Sequence, residues 1–308
     1  MSFKTEIPDA RQFPRYSGVC SFFRFPLSPQ PRKVDWVLYG VPFDFGTSYR
    51  PGARFGCRSI REQSAYIKPY HLFYKEDLRE RFSIVDGGDA PVAPYDLEKN
   101  LSLHEEFSSA WRAQDAKTFA IGGDHSISVG NMRATSKALG KKLACIHFDA
   151  HTDTVDRLWD NAYTHASPIR RGVEEGWLDP KKSVSIGIRG PVNSATELDW
   201  GRDQGLEYIC IEDFREKGLD LLRAFKKKIG NDPVYLTFDI DCMDPVFAPG
   251  TGTPAIGGFT TAEIISALRV FKGIQLVAAD MVEVAPGLDP TQVTSLLAAH
   301  LVFEILCL

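Results

Sequence analysis

The stretch LACIHFDAHTDT, residues 143–154, changes from an apolar run to a group of acidic residues and histidines within a few positions. Its apolar part, residues 143–148, is typical of a strand that is covered on both faces. A second stretch, VYLTFDIDCMD at residues 234–244, repeats this change from apolar to acidic. Strands with two covered faces belong mainly to parallel sheets flanked by helices, so these stretches predict an α/β fold.

Similar apolar runs recur on both sides of these two stretches. The eight predicted strands cover residues 34–41, 82–85, 118–121, 143–148, 184–188, 208–211, 234–240 and 274–279. Amphipathic segments between them predict helices at residues 126–139, 213–229 and 260–271. A last helix is expected to begin with Asp289 as N-cap and Pro290 as its first residue. We expect one domain over residues 1–308, on which an irregular segment of residues 1–33 packs.

Composition excludes several classes of partner. The 308 residues include 36 basic and 40 acidic side chains, a net charge of −4, which does not indicate a nucleic-acid surface. Six scattered cysteines without a CxxC pair favour reduced intracellular thiols. We find no apolar run long enough for a membrane span and no signal-peptide core. The expectation is a cytoplasmic protein with neither a nucleic-acid nor a membrane partner.

Polar side chains follow three of the predicted strands. Two of these groups have residues spaced by two, so an extended backbone would project each group to one side. The third is a histidine in AIGGDHSISVG, residues 120–130. The candidates are His125, Asp149, His151, Asp153, Asp239 and Asp241. Burial of four carboxylates at strand ends is very unfavourable without a cation, so the pattern predicts metal binding.

The donor set indicates which metals would suit such a site. Two histidines and four aspartates without a thiolate disfavour a structural zinc site and suit Mn²⁺, or else Ni²⁺, Co²⁺ or Zn²⁺. Two ions about 3.5–4 Å apart would fit the number of ligands. Each motif alone is more typical of a cap, a turn or a solvated face, but their recurrence favours a metal site. Alternation leaves His147 open as a further ligand, because it shares the parity of Asp149.

Long motifs give the chain a clear resemblance. GGDHS at residues 122–126, FDAHTDT at 148–154 and FDIDCMDPVFAPGTGTPAIGG at 238–258 resemble the signature blocks of the ureohydrolase family of arginases and agmatinases. The third block, and residues 40–61 and 279–306, are similar to the agmatinase branch. The resemblance implies a three-layer α/β/α sandwich around a mostly parallel, eight-stranded sheet. It also implies an amidinohydrolase that releases urea and an amine from a guanidino compound.

The resemblance further assigns ligands, cofactors and assembly. It implies two divalent ions per chain, with Mn²⁺ as first choice and Ni²⁺ as second, and it leaves His147 outside the ligand set. It also implies a homo-oligomer, a trimer or hexamer, with a paralogous subunit as a further option. One ion would be bound by His125, Asp149, Asp153 and Asp239, and the other by Asp149, His151, Asp239 and Asp241.

Two further residues receive catalytic or binding roles from the resemblance. Glu283 in DMVEVAP matches the glutamate that holds the guanidinium, and His165 matches the histidine that transfers protons and contacts substrate. Without the resemblance, Glu283 would be an ordinary ion-pair residue and His165 a solvated loop residue. A guanidinium carbon is a poor electrophile, so hydrolysis requires a hydroxide, which a water bound between two metals, with Asp149 bridging them, can supply.

The sequence leaves the substrate open. Agmatine, cleaved to putrescine and urea, is the first choice; guanidinobutyrate, guanidinopropionate, guanidine and a biguanide are alternatives. In the loop of residues 154–164, Asp156 or Asp160 would attract an ammonium and Arg157 a carboxylate, while solvated charges are equally consistent. Trp159 and Tyr163 would offer a flat wall to the substrate.

Three residues, at two sites, depart from the usual pattern of the family. Ala166 and Ser167 stand where agmatinases usually have glycine and threonine, and Cys57 stands where proline is common. Alanine avoids backbone conformations that glycine reaches, so Ala166 could reshape the pocket wall.

A catalytically silent subunit is the alternative from another functional class. The retained metal ligands, together with Glu283 and His165, disfavour it.

Overall fold

A computed structural model describes residues 5–308 of the chain. Its strands are β1 Trp36–Gly40, β2 Tyr70–His71, β3 Glu76–Asp77, β4 Ile84–Asp89, β5 Lys117–Ile121, β6 Ala144–Phe148, β7 Val184–Ile188, β8 Glu207–Cys210, β9 Pro233–Asp239 and β10 Gln275–Val282. Its helices are α1 Gly56–Ser64, α2 Leu78–Arg81, α3 Leu97–Arg112, α4 Ser128–Leu139, α5 Pro168–Glu174, α6 Asp199–Gln204, α7 Ile211–Lys217, α8 Leu219–Ile229, α9 Thr261–Val270 and α10 Val293–Leu306.

Eight of the strands form one parallel sheet, in the order β4-β1-β5-β10-β9-β6-β7-β8. Successive residues of β1 show how both faces are covered. Leu38 packs into one apolar cluster, whereas its neighbours Val37 and Tyr39 pack into another. Alternate side chains of a strand point to opposite faces, so helices cover both sides of this sheet. The predicted α/β/α fold with an eight-stranded parallel sheet is confirmed.

The order of the strands brings the candidate site residues to one place. Strands β5, β10, β9 and β6 are consecutive neighbours in the middle of the sheet. Since the strands are parallel, their carboxyl ends meet at the same edge, where ligands bind in such sheets. His125 follows β5, Glu283 follows β10, Asp239 ends β9, and Asp149 follows β6. The topology therefore explains why residues far apart in sequence converge.

Two expected helices differ in the structure. The helix predicted over residues 213–229 is divided into α7 and α8 at Gly218, whose φ of 67° no regular helix contains. The C-terminal helix begins at Val293, so the prediction that Pro290 is its first residue is wrong. Gln292 takes a left-handed conformation, with φ 60°, which prevents an earlier start. The N-cap is Gln292, so the prediction of Asp289 as N-cap is also wrong, although Asp289 Oδ2 accepts a hydrogen bond of 2.8 Å from the Thr294 N–H in the first turn.

Residues 5–33 contain little regular structure but are tied to the sheet. The Ile84 N–H donates to Thr5 Oγ1 over 2.6 Å, and Leu27 forms an isolated parallel bridge with Asp86. Phe22 is fully buried. That residues 1–308 form one domain stays a prediction, and residues 1–4 of its N-terminal segment lie outside the described part. Among the described helices, none has the length and apolar character needed to span a membrane.

Candidate metal centre and substrate site

His125 begins a short 3-10 turn after β5 and is almost fully buried. Its Nε2 lies 2.7 Å from Thr237 Oγ1 on β9, and Thr237 in turn donates to Asp280 Oδ1 on β10 over 2.5 Å. Since the threonine proton goes to Asp280, the His125 Nε2 must carry the ring proton and donate to Thr237. The lone pair of neutral His125 is therefore on Nδ1.

Three carboxylates surround this lone pair. The His125 Nδ1 is 2.8 Å from Asp153 Oδ2 and 3.2 Å from Oδ2 of both Asp149 and Asp239. It is buried and has no hydrogen-bond partner among the described residues. A lone pair facing three buried carboxylates is strongly repulsive unless a proton or a cation lies between them. The donor atoms present thus fit a divalent cation that prefers nitrogen and oxygen ligands.

A second group of donors lies beside the first and shares Asp149 with it. The His151 Nδ1 is 3.3 Å from Asp149 Oδ1 and 3.2 Å from Asp241 Oδ2. Each oxygen of Asp149 therefore faces a different histidine. Backbone donors fix these carboxylates, since Asp149 Oδ1 accepts from the His151 N–H at 2.6 Å and Asp239 Oδ1 from the Asp241 N–H at 2.8 Å. The six predicted residues thus lie together, with His151 partly exposed and Asp239 beside His125. Two overlapping groups have donor atoms close enough to bind a metal ion, namely His125, His147, Asp149 and Asp153 in one and Asp149, His151 and Asp241 in the other.

The pKa shifts within the cluster indicate that it needs a compensating positive charge. Burial, reinforced by the charges of Asp241 and Asp149, raises the pKa of Asp239 well above its usual range. Burial alone would lower the pKa of His125, but the charge of Asp153 and the close approach of the Asp149, Asp153 and Asp239 carboxylates to Nδ1 raise it well above its usual range. Without a cation, protons therefore have to neutralise the site. Metal binding would displace those protons.

The local backbone differs from the expected alternation of an extended strand. Strand β6 ends at Phe148, and Asp149, His151 and Asp153 lie in the irregular loop that follows. Asp153 has a left-handed φ of 51°, which is uncommon for a residue with a side chain. The premise of a continued extended backbone is therefore wrong, and the turn of the loop directs these side chains inward.

His147 lies next to the cluster, and one of its ring nitrogens is close enough to donors of His125, Asp149 and Asp153 to share a metal ion with them. Its Nε2 is 2.7 Å from Asp149 Oδ2, and its Nδ1 is 2.8 Å from Ser185 Oγ. The contact with Ser185 holds the ring against Asp149, which is how outer partners orient a metal ligand. Its exclusion from the ligand set stays a prediction.

Glu283 connects the cluster to His165. Its backbone is left-handed, with φ 64°, and its side chain is almost fully buried. The Oε1 accepts a hydrogen bond of 2.9 Å from the His125 N–H and lies 3.3 Å from His165 Nδ1. No hydrogen bond reaches Oε2 from residues 5–308. A buried carboxylate with one unused oxygen is suited to bind a cation such as a guanidinium.

His165 is held between Glu283 and the loop that follows β1. Its Nε2 is 2.6 Å from Ser48 Oγ, and it accepts a hydrogen bond of 3.2 Å from the Ser48 N–H. Burial lowers the pKa of His165, but the hydrogen bond and charge of Glu283, with the charges of Asp153 and Asp124, raise it to about 9. In the ligand-free protein at neutral pH the raised pKa therefore favours an imidazolium paired with Glu283, and the hydrogen bond from the Ser48 N–H to Nε2 belongs to the neutral form of the ring.

The loop of residues 154–164 uses several of its polar groups internally. Asp156 Oδ1 is 3.0 Å from Arg171 Nη2 and 3.5 Å from Arg170 Nε, so arginines already neutralise it. The Arg157 Nη1 donates to the backbone oxygen of Asp160 over 2.9 Å. Tyr163 donates to Glu175 over 2.8 Å, whereas the Trp159 side chain is 80% exposed. These contacts favour the interpretation of most of these residues as ordinary surface groups.

The departures from the family pattern leave the backbone around His165 unstrained. Ala166 is not among the described residues with positive φ, so the absence of glycine requires no unusual conformation. Ser167 keeps the hydroxyl of the usual threonine, and its Oγ accepts a hydrogen bond of 2.9 Å from the Thr164 N–H. Cys57 is buried in the first turn of α1, where helix N–H groups lack partners and proline is also tolerated.

Sequence reasoning overlooked the residues that support the site from outside. Asp280 is a charged residue inside an apolar strand, and this pattern alone would have drawn attention to it. Arg189 is buried and donates to the carbonyl oxygens of Asp241, Cys242 and Met243, which fixes the turn that carries Asp241. Ser48 has no such signal in the sequence, because its partner lies 117 positions away.

Comparison with known proteins assigns the chain to a family. The profile of the arginase family matches residues 34–308. Guanidinopropionase of Pseudomonas aeruginosa is 41% identical over 302 residues, which cover 97% of this chain and 94% of that protein. Agmatinase of Salmonella paratyphi B is 40% identical over 299 residues, covering 94% of this chain and 93% of that protein. This chain belongs to the arginase family.

The fold agrees with the sequence. The structure of proclavaminate amidinohydrolase from Streptomyces clavuligerus superimposes with a TM-score of 0.91 at 38% identity, covering 95% of this chain and 97% of that one. The ureohydrolase resemblance is thereby confirmed, and so is the predicted class of enzyme, a hydrolase of carbon–nitrogen bonds in linear amidines. The silent-subunit alternative receives no support from these relatives.

Proposed function

We propose that this chain is a binuclear-metal amidinohydrolase that cleaves a guanidino compound to urea and an amine. The observation that supports the proposal most is the position of Asp149. Its two oxygens lie 3.2 Å and 3.3 Å from the Nδ1 atoms of two different histidines, His125 and His151. A carboxylate in this position is suited to bridge two cations, and binuclear sites in hydrolases use such bridges.

The proposed ligands are those that the sequence suggested, with Asp149 and Asp239 shared between the ions. Mn²⁺ is the first choice and Ni²⁺ the second, because nitrogen and oxygen donors suit both. When bound, the two ions lower the pKa of a water molecule so that hydroxide is available near neutral pH. One ion would be held by His125, Asp149, Asp153 and Asp239, and the other by Asp149, His151, Asp239 and Asp241.

Glu283 is proposed to bind the substrate guanidinium, and His165 to protonate the departing amine. The Glu283 carboxylate is adjacent to the metal cluster through its contact with the His125 backbone, which would hold the guanidinium carbon close to the ions. His165 Nδ1 is 3.3 Å from the same carboxylate, so a bound guanidinium would lie within its reach. General acid catalysis by a side chain in such a position contributes about 10²–10⁴-fold.

Agmatine is the first substrate to test, and guanidinopropionate is the second candidate because the guanidinopropionase cited above is similarly related. Of the two acidic residues suggested for the ammonium of agmatine, Asp156 is engaged by arginines. The contacts of the loop of residues 154–164 therefore favour neither a cationic nor an anionic substrate tail.

Urea release from a panel of guanidino compounds tests the proposal. The panel is agmatine, guanidinobutyrate, guanidinopropionate, guanidine and a biguanide, each assayed with Mn²⁺ and with Ni²⁺. We expect one compound to be turned over fastest, with activity lost on chelation and restored by the metal. Absence of urea from every compound with both metals would refute the proposed function, and fast turnover of another compound beside slow turnover of agmatine would refute only the choice of substrate.

A further inference from the structure

Ser48, in the loop between β1 and α1, directs both of its polar groups at one nitrogen of His165. Its backbone N–H donates to Nε2 over 3.2 Å, and its Oγ lies 2.6 Å from the same atom. A donor aimed at a ring nitrogen requires a lone pair there, so Nε2 is unprotonated when this contact forms. The Ser48 hydroxyl then also donates its proton to Nε2.

The other ring nitrogen faces the proposed guanidinium site. The His165 Nδ1 lies 3.3 Å from Glu283 Oε1. With Nε2 as acceptor, the single proton of neutral His165 is on Nδ1, on the side of Glu283. A bound guanidinium would neutralise Glu283, which is the main cause that raises the pKa of this histidine, and would thus favour the neutral ring. Ser48 is only partly buried, so its hydroxyl can exchange protons with solvent.

The loop that carries Ser48 is fixed on both sides of it. The Gly46 carbonyl accepts a hydrogen bond of 3.1 Å from the His165 N–H, and the Gly46 N–H donates to Asp124 over 2.7 Å. On the other side, the Arg50 guanidinium donates to the carbonyl oxygens of Thr251 and Gly252 over 3.0 Å each. Ser48 is therefore positioned by the fold, and its contact with His165 does not depend on a free loop.

We infer that Ser48 acts through His165 as a positioning residue that also renews its proton, an inference that rests on the proposed function. As the carbon–nitrogen bond of the intermediate breaks, Nδ1 gives its proton to the departing amine nitrogen. Ser48 Oγ gives its proton to Nε2 and takes one from water, and the hydroxide left by that water takes the hydroxyl proton of the intermediate as urea forms. The imidazole is neutral before and after the transfer, but its proton is then on Nε2, and exchange with solvent returns it to Nδ1 before the next turnover.

Kinetics of five variants test this role. We expect Ser48→Ala to lower kcat about 10–100-fold, less than the roughly 10²–10⁴-fold that a general acid itself contributes, with KM changed less than about threefold. Ser48→Thr keeps the hydroxyl and should retain kcat within about threefold of the wild type. In a His165→Ala background, Ser48→Ala should lower kcat less than about twofold further, because the two residues act as one unit. Ser59→Ala in α1, which removes a hydroxyl that is hydrogen-bonded to Ser295 in α10, is the matched control and should leave kcat unchanged.

The position of the proton on the His165 ring can also be measured without turnover. NMR spectra are recorded of protein that carries ¹⁵N-labelled histidine and diamagnetic Zn²⁺, at a pH above the His165 pKa of about 9. The signal of His165 is identified by its absence in His165→Ala. We expect His165 to carry its proton on Nδ1 in the wild type and to lose this preference in Ser48→Ala. If no guanidino compound is hydrolysed, the proposed function fails while this spectrum still decides the role of Ser48.

Three results would overturn the inference. They are a protonated Nε2 in the neutral wild-type ring, a Ser48→Ala kcat within about twofold of the wild type, and equal losses of kcat in the presence and absence of His165. Equal losses would mean that Ser48 acts on the fold of the loop and not through His165.

Discussion

The inner and outer parts of the site are built in opposite ways. The cluster around Asp149 is buried, and its carboxylates crowd histidines within 3.3 Å. The outer loop of residues 154–164 is largely exposed, and Asp156, Arg157 and Tyr163 contact other protein groups. A group that lacks protein partners at the centre of a fold needs a ligand, whereas one that is already paired does not. The inner part therefore identifies the reaction, and the outer part leaves the substrate open.

The largest expected effect comes from Asp149→Asn. Loss of the shared charge should remove at least one ion and lower kcat/KM about 10³-fold or more, because metal polarisation is worth several kcal/mol. Metal analysis and urea release check this result. Asp232→Asn, at an exposed aspartate paired with Lys182, is the control and should leave both unchanged. Full metal content and activity in Asp149→Asn would contradict the role of Asp149 as a shared metal ligand. The inner part of the site would then need a ligand no more than the outer part does.

Glu283→Gln should have the second largest effect. Removal of the carboxylate that is proposed to receive the guanidinium should lower kcat/KM about 10²–10³-fold, since loss of one member of a buried charged pair is worth several kcal/mol. Metal content should stay unchanged, which steady-state kinetics and metal analysis will establish together. Glu174→Gln, beside Arg170 and Arg171 on the outer side, should retain wild-type kinetics. A Glu283→Gln enzyme with wild-type kcat/KM would exclude this carboxylate from substrate binding.

Thr237→Val tests the chain of hydrogen bonds behind His125. Valine cannot accept the Nε2 proton, so the ring loses its orientation and the metal should bind about 10–100-fold more weakly. Competition with a chelator measures the dissociation constant, and a melting curve verifies folding. Thr237→Ser keeps the hydroxyl and should bind metal like the wild type. Equal affinities in the valine and serine variants would show that Asp280 and Thr237 do not influence the metal.

Dependence on pH should report the pair of His165 and Glu283. The pKa of His165 is raised to about 9, so the imidazolium competes with the guanidinium for Glu283 at neutral pH and is lost as pH rises. Below that value kcat/KM should increase by up to about tenfold per pH unit. A pH profile of the wild type and of His165→Asn checks this, because the variant should lack this increase. A wild-type profile that falls from pH 7 upward would contradict the account.

The smallest effect is expected for Asp156→Asn in the outer loop. Its carboxylate is largely exposed and paired with Arg171, and such surface pairs contribute little, so kcat/KM should change less than about threefold. Kinetics with agmatine and with guanidinopropionate will check both kinds of substrate tail. A large loss with agmatine alone would move Asp156 from the surface into the substrate site.

Much of the fold could be predicted because most strands of the eight-stranded sheet are apolar runs covered on both faces. The exceptions are local. Nothing in the sequence indicates the left-handed Gln292, whereas Gly218 is a signal for the interruption that the prediction overlooked. The proximity of the six predicted residues was anticipated for a partly wrong reason, because a loop and not an extended strand orients Asp153, and their role as metal ligands stays a prediction. Contacts across the fold, such as that of Ser48 with His165, depend on how distant loops pack and leave no local pattern.

The central claim is that one carboxylate, Asp149, holds two cations together. Titration of the metal-free protein with Mn²⁺, followed by electron paramagnetic resonance, tests it most directly. The account predicts two ions per chain about 3.5–4 Å apart, with the spectrum of an exchange-coupled pair. A single ion per chain at saturation, or two ions with uncoupled spectra, would contradict it.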